Sequence, residues 1–347
     1  MSRVDVVVPC YNYAHFLPRC VDSVLSQDGV EVRVLIIDDC SSDDSAEVGT
    51  ALAAADSRVE CRRHEVNQGH IATYNEGLLE WAGGDYTALL SADDLLVPGS
   101  LGRAARIMDD DPSVGMVYGR SVYFQDEEDL PRITTRQRGV TTWRGADWIE
   151  GRCRDGHNVI SSPEVVVRTE VQHRVGGYRP DLPHAGDLEM WLRIAAVAGV
   201  AYVRGVPQAY YRVHAASMQR SQFNSGLIDL QQRRDVFEAF LEAHATDLVD
   251  PVHLKNLVGT CLAREALWAA CRSYDRDDVE SVPVDELVEF ALGVLPAAHR
   301  LREYSALRRR QRLGATVCHR TQVFAVSAAA HRARNWWWWQ SWKRRGV

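Results

Sequence analysis

Over the first 220 residues, apolar positions follow two alternating rhythms. Short, nearly continuous runs at 4–8, 32–37 and 86–90, rich in Val, Ile and Leu, predict buried strands, and a weaker run covers 59–66. Between them, Phe16, Leu17, Val21, Val24 and Leu25 recur at helical spacing. Further helices are predicted over 44–55, with Ser41 and Ser42 as candidate N-caps, over 71–81, closed by Gly83-Gly84, and from Pro98-Gly99-Ser100 to 110. Pro9 is expected to end the first strand. Residues 114–124 read as extended, 126–141 as a polar loop, 143–149 as a short helix and 165–167 as a strand. An amphipathic helix is predicted over 188–198, and a strand over 209–213 that leads into His214. Beyond 227 the pattern is helical throughout, with breaks near Pro251, Pro283 and Pro296. The expected organisation is therefore a domain over 1–220 and a helical region over 221–347.

Strands alternating with helices, and continuously apolar rather than alternating, predict an α/β fold with a buried, mostly parallel sheet flanked by helices. Ligands of such sheets bind beyond the carboxyl ends of the strands. That rule sorts the polar residues: Pro9, Tyr11 and Asn12, then Asp38-Asp39, then Asp93-Asp94 all follow strand ends and should converge on one crevice.

Composition is that of an ordinary globular protein, 46% hydrophobic and 25% charged over 347 residues. The apolar runs fall short of the roughly 18–20 residues a membrane span needs. The first residues carry Asp5 inside their apolar stretch and do not read as a signal peptide. Eight scattered cysteines without a CxxC pair read as reduced thiols, which suggests a cytoplasmic setting. Charge changes the picture more. Residues 300–347 hold twelve Lys/Arg and one acid, Glu303, leaving 28 bases and 46 acids for the rest. The tail includes "NWWWWQSWKRR". Its readings are packing onto the body or onto a partner subunit of a homo-oligomer, and peripheral contact with the inner face of a membrane. Nucleic acid is disfavoured by the acidic body.

Each candidate for chemistry has a plainer alternative. Asp93-Asp94 is either a solvated turn or a site for a divalent cation, Mg²⁺ or Mn²⁺, carrying a diphosphate, since adjacent carboxylates repel unless a cation offsets them. Asp39 either caps a helix or accepts from a base imide N–H, with Pro9, Tyr11 and Asn12 offering a ring and backbone groups to the same base. Asn67-Gln68-Gly69, with Asn75 beyond it, is either a turn or the crevice rim near base and pyrophosphate. Asp187 either favours its helix dipole or acts as a general base; Glu189 is the more peripheral of the two. His214 is either structural or a contact to metal or phosphate. No GxGxxG follows the first strand, and GxxxxGK[ST], HExxH, zinc-finger spacing and GxSxG are absent.

Six segments resemble family 2 glycosyltransferases of the GT-A fold, in order and spacing: "VVVPCYNYAHFLPRCVDSVLSQ", "VLIIDDCSSDDS", "NQGHIATYNEGL", "LLSADD", "GDLEMWLR" and "YRVHAAS". The resemblance covers residues 3–217. It implies a Rossmann-like GT-A domain, with Pro9, Tyr11 and Asp39 at the nucleotide base. Asp93 and Asp94 match the DXD-type metal and diphosphate motif, with Asp94 the direct ligand. Asp187 matches the base of inverting members, His214 a late metal- or phosphate-contacting histidine, and Gly176-Gly177 a loop on the acceptor side. Ser91 stands where many members carry another Asp, and His70 where many have a small residue or proline. The activity implied is sugar transfer from a nucleotide-diphosphate sugar, UDP- or dTDP-linked, to a hydroxyl of a cell-surface glycan, a lipid-linked precursor, a protein or a small natural product. The rivals are a nucleotidyltransferase, for which no basic Gly-rich phosphate loop follows the first strand, and a non-catalytic nucleotide-sugar-binding scaffold, against which the intact acids speak.

Overall fold

The computed structural model describes residues 1–182, 185–214 and 226–346, the side chain of Glu127 excepted. The chain divides into two units: Met1–Trp148, Asn158–Ala215 and Arg344–Gly346 form one, Ile149–His157, Ala216–Lys343 and Val347 the other. The boundary expected near 220 lies outside the described residues.

The first unit opens with β1 (Arg3–Cys10), α1 (Leu17–Leu25), β2 (Glu31–Asp38), α2 (Ser45–Ala55), β3 (Val59–Arg63) and α3 (His70–Asn75), which runs on as a π-helical segment, Glu76–Trp81. Next come β4 (Tyr86–Leu89), β5 (Leu95–Leu96), α4 (Ser100–Asp110), β6 (Val114–Tyr118), β7 (Ser121–Phe124), β8 (Gly139–Trp143) and α5 (Gly145–Asp155), whose residues from Ile149 on belong to the second unit. It closes with β9 (Val165–Arg168), α6 (Thr169–Val175), α7 (Gly186–Val197), β10 (Gly199–Arg204) and β11 (Ala209–Arg212). The main sheet has the order β3-β2-β1-β4-β9-β6-β10-β8. Its pairs are parallel except those of β9 with β4 and β6, and of β8 with β10. The predicted α/β class and mostly parallel sheet are thus present. Both faces of β1 and β2 are buried, which is why their sequences are apolar without alternation. Val4, Val6, Val8, Val34 and Ile36 pack in one cluster with Leu17, Val21 and Val24 of α1 and Leu101, Ala105 and Met108 of α4.

Asp5, wholly buried in that strand, is the exception that proves instructive. Its carboxylate accepts from Arg33 Nε at 2.9 Å and from the N–H groups of Gly83 and Gly84 at 2.8 and 2.7 Å. The Gly83-Gly84 turn therefore serves as a donor to β1.

Several expectations are corrected. Pro9 does not end β1; it pairs with Ile37 inside the strand. Its carbonyl faces the β4 side and accepts the Ala92 N–H at 3.3 Å, but Pro9, without an N–H, donates nothing there, and β4 stops at Leu89. Ser41 and Ser42 do not cap α2, whose N-cap is Asp44. Residues 114–124 are two strands in different sheets, and the expected loop over 126–141 ends inside β8. The two-residue β5 escaped prediction altogether. It joins β11 and β7 in a small sheet of order β5-β11-β7.

In the second unit, α8 (Gly226–Ala243), α9 (Pro251–Arg276), α10 (Val284–Val294), α11 (Arg302–Leu313), α12 (Ala315–Thr321) and α13 (Ala325–Arg345) supply the predicted helices. Asp250 caps α9 by accepting from the N–H of His253 at 2.9 Å. Helices α8, α10, α11 and α12 surround α9. Arg310 of α11, buried, bonds Asp275 of α9 at 2.8 Å and lies 3.9 Å over the Phe324 ring.

Candidate functional site

The end of β1 is the hub of the site. The carbonyl of Cys10 accepts the Asp39 N–H at 2.9 Å, and that of Pro9 accepts the Ala92 N–H at 3.3 Å. One strand end thus fixes both acid-bearing turns. Asn12 adopts a left-handed backbone at φ 59°, donates its N–H to Ser41 Oγ at 2.8 Å and accepts the Ser42 N–H at 2.8 Å. The serines that failed as caps are the clamp between the first and second motifs. Tyr11, beside them, is 49% exposed, with its ring open to a ligand.

Asp39 is buried and shapes the 67–69 loop. Its carboxylate accepts from the Gln68 and Gly69 N–H groups at 2.7 and 2.9 Å and lies 2.7 Å from His64 Nδ1, while its carbonyl accepts from Asn67 Nδ2 at 3.2 Å. Gly69 holds φ 85°, a region that favours glycine. Three donors occupy Asp39, which leaves about one of its four acceptor positions for a ligand. His64 also meets Glu76 Oε2 at 2.8 Å. Burial lowers the His64 pKa, but the two carboxylates outweigh it and the net shift is upward.

Asp93 and Asp94 sit in a turn between β4 and β5, closed by the Asp94 N–H donating to Ser91 at 3.0 Å. Because β5 pairs with β11, the turn is held against the strand that carries Arg212 and His214. The Arg212 N–H donates to Asp94 Oδ1 at 2.8 Å, and its Nε donates to the Asp93 carbonyl at 2.9 Å. The guanidinium lies 4.1 and 4.4 Å over the rings of Phe16 and Phe124. His214 Nε2 is 3.0 Å from Asp93 Oδ2 and 3.4 Å from the Tyr13 hydroxyl. Burial, reinforced by the charge of Asp93, pushes the Asp94 carboxyl well above its ordinary range. Among the described residues, buried Asp93 Oδ1 has no hydrogen-bond partner.

Residues 5–162 match the family model for glycosyl transferase family 2. Over that segment, 158 of the 347 residues, the chain is similar to glycosyl transferase family 2. It is 31% identical over 208 residues to an uncharacterized protein of Mycobacterium tuberculosis, an alignment that covers 58% of this chain and 64% of that protein. The chain thus spans just under two thirds of that relative's length. Two solved structures share the fold. Staphylococcus aureus TarS 1–349, in complex with UDP-GlcNAc, superposes with a TM-score of 0.61 at 16% identity, covering 90% of this chain and 91% of that one. The mannosyltransferase PcManGT of Pyrobaculum calidifontis, in complex with GDP-Man and Mn²⁺, gives 0.54 at 17% identity, covering 95% and 86%. The architecture is the GT-A fold with a C-terminal helical region.

Asp187 occupies the first turn of α7, part-buried. Burial pushes its carboxyl up to about 6, and a hydrogen bond from Tyr178 opposes the shift. Tyr178 is fixed in turn by Asn75, which accepts its N–H at 2.6 Å and donates to its carbonyl at 2.9 Å. A Cβ on Gly177 would lie 2.3 Å from Asn75 Oδ1, so only glycine admits this clasp. Glu189 turns away, as expected of the peripheral acid: it bonds Arg193 at 2.7 Å, and Arg193 donates to the Gly177 carbonyl at 2.7 Å.

The tyrosines around the acids were missed in the sequence. Burial and the charges of Asp187, Asp93 and Asp94 push the Tyr74 hydroxyl upward, and the same acids act on Tyr211. A lone tyrosine in a helix or strand reads as core, so nothing in the pattern marked them. They stand within electrostatic reach of both the separate acid and the acid pair. Among the described residues, no three His, Cys, Asp or Glu side chains form a closed metal cluster. The orphaned oxygen of Asp93, its histidine neighbour and the charge-burdened Asp94 are an incomplete donor set. They suit a hard cation that takes its remaining ligands from water and phosphate.

Proposed function

We propose that the first unit transfers a sugar from a nucleotide-diphosphate sugar to an acceptor hydroxyl, with inversion at the anomeric carbon. The observation that carries this reading is that Asp187, its carboxyl raised by burial, acts electrostatically on the same tyrosines, Tyr74 and Tyr211, as Asp93 and Asp94. Sugar transfer has two separate electrostatic tasks, removing a proton from the acceptor and receiving a departing diphosphate. An isolated base and an acid pair divide them.

Asp94, with Asp93 and His214 beside it, would hold a divalent cation, Mg²⁺ or Mn²⁺. That cation supplies Lewis-acid stabilisation of the charge on the leaving diphosphate. The remaining acceptor position of Asp39 receives a base imide N–H, and the exposed Tyr11 ring stacks on the base. Pro9 and Asn12 hold that wall in place. Asn67 and Gly69 form the rim near the pyrophosphate. Asp187, ionised above about pH 6, takes the proton of the attacking hydroxyl while Tyr178 orients its carboxylate. Attack opposite the leaving group in one displacement inverts the centre. UDP-GlcNAc bound by TarS and GDP-Man bound by PcManGT support a nucleotide-sugar donor of this class. The acceptor is a cell-surface glycan, a lipid-linked precursor or a small natural product, met on the cytoplasmic side. No described helix is long and apolar enough to cross a membrane.

The test is release of nucleoside diphosphate from a panel of UDP-, dTDP- and GDP-sugars with Mn²⁺ or Mg²⁺. Asp187→Asn should keep donor binding and lose transfer. Transfer that survives this change sinks the base assignment, and metal dependence that survives Asp94→Ala sinks the metal assignment.

A further inference from the structure

Helix α13 has two faces of different character. Its inner stripe is His331 and Trp338, seven residues apart: His331 stacks on Trp268 of α9 with ring centroids 4.2 Å apart, and Trp338 meets His157 at 5.3 Å. That stripe explains how the helix is held. Trp339 also meets the buried Trp342 at 5.6 Å, yet Trp336, Trp337 and Trp339 stay 56%, 63% and 47% exposed. At 100° per residue they span an outward arc, and exposed Arg332 falls one turn before Trp336 on the same arc.

The wider neighbourhood repeats this composition. Among the described residues, seven of the fifteen exposed large apolar side chains fall between Leu313 and Trp339, including Val317, Val323 and Val326. Arg320 and Arg334 are exposed in the same stretch, and Arg308, Arg309 and Arg312 just before it. From Arg300 onward Glu303 is the only acid. Exposed tryptophan is unusual on a protein that meets only water, and contiguous exposed apolar residues mark contact surfaces. Indoles are favoured where an apolar medium meets water, because the ring is apolar and its N–H still finds a partner. Surrounding arginines suit a negatively charged plane.

We propose that the outward face of α13 docks the protein on an anionic lipid bilayer, with Trp336, Trp337 and Trp339 entering the headgroup region and the flanking arginines contacting lipid phosphates. The inference does not depend on the proposed sugar transfer. Charge complementarity favours a bilayer over a second copy of the chain. The acidic body of another copy would satisfy the arginines but would leave the indoles against charged side chains.

The experiment uses the full chain and vesicles of equimolar phosphatidylcholine and phosphatidylglycerol, with phosphatidylcholine alone as the comparison. The protein should sediment with the anionic vesicles, its indole emission should shift to the blue, and added salt should weaken the binding. The variant Trp336→Ser/Trp337→Ser/Trp339→Ser should lose at least about tenfold in partitioning while its thermal transition stays in place, since these rings are exposed. Arg332→Glu/Arg334→Glu should lose the preference for anionic vesicles. Three outcomes overturn the proposal: no vesicle binding, undiminished binding by the triple variant, or light scattering that shows a dimer dissolved by the triple variant without any vesicle binding.

Discussion

Asp187→Asn removes one negative charge from the first turn of α7 and changes little else. The amide is nearly isosteric, and its oxygen still accepts from Tyr178. Burial lifts the carboxyl from 3.8 to about 6 in the folded protein. At about 1.4 kcal/mol per pKa unit, holding Asp187 ionised costs the fold about 3 kcal/mol at neutral pH. The charge returns about 0.5–1 kcal/mol by its place at a helix N-terminus. The variant should therefore be more stable than the parent by about 2 kcal/mol at pH 7.5. Below about pH 4 the carboxyl is neutral in folded and unfolded chains alike, so the difference should be absent there. It should grow between about pH 4 and 6 and be complete above. In thermal melts this is a rise of about 4–8 °C at pH 7.5, closing on acidification. In parallel, transfer should fall by about 10²–10⁴ with donor binding retained. An Asn variant that melts at or below the parent at neutral pH, or a gap indifferent to pH, refutes the claim that Asp187 is kept charged against its surroundings.

The remaining tests act on the supports of the same site. Tyr178→Phe removes the hydrogen bond that holds Asp187 down, so the acid limb of the kcat/KM profile, set near pH 6 in the parent, should move to higher pH. An unmoved limb would separate Tyr178 from the base. Gly177→Ala drives a Cβ into Asn75 and should cost about 1–3 kcal/mol by chemical denaturation, with a loss of transfer larger than the loss of donor affinity. Gly69→Ala strains a residue at φ 85° and should weaken nucleoside diphosphate binding, measured by calorimetry, by about 1 kcal/mol. Asp94→Ala should abolish the response of transfer to added Mn²⁺ after chelation, whereas chelation of the parent should be fully reversible.

Strands and helices of the first unit were legible where burial on both sheet faces forces continuous apolar runs, as in β1, β2 and β4. The acid-bearing turns were legible too, because strand ends announce themselves. What the pattern could not carry is pairing between distant short segments. β5 is two residues long, too short for any periodicity, yet its pairing with β11 is what brings Arg212 and His214 to Asp93 and Asp94. Ser41 and Ser42 illustrate a related gap. Their residue types predict caps, but Asn12, distant in sequence and left-handed in backbone, competes for them and wins. The tyrosine ring was hidden for a different reason: Tyr74 and Tyr211 are ordinary residues of amphipathic elements until the charges around them are placed.

The buried acids of the first unit separate by the donors each one meets. Asp5 receives Arg33 and two backbone N–H groups; burial alone would raise its carboxyl, but these donors bring it below the ordinary value. Such a group is a strut, and nothing remains on it for a ligand. Asp39 receives three donors and keeps about one acceptor position, enough for one directed hydrogen bond. Asp94 receives the N–H and the charge of Arg212, but burial and the charge of Asp93 still drive it upward, and among the described residues one oxygen of Asp93 has no partner. The positive charge at hand does not offset the burial of this pair. Among the described residues, the Tyr178 hydroxyl is what opposes burial at Asp187, which settles near 6. A group so poised accepts a proton readily at neutral pH and is ionised often enough to do so. The strut, and the directed acceptor, cation seat and base proposed above, draw on the same carboxylate chemistry, graded by how completely the surrounding chain satisfies it.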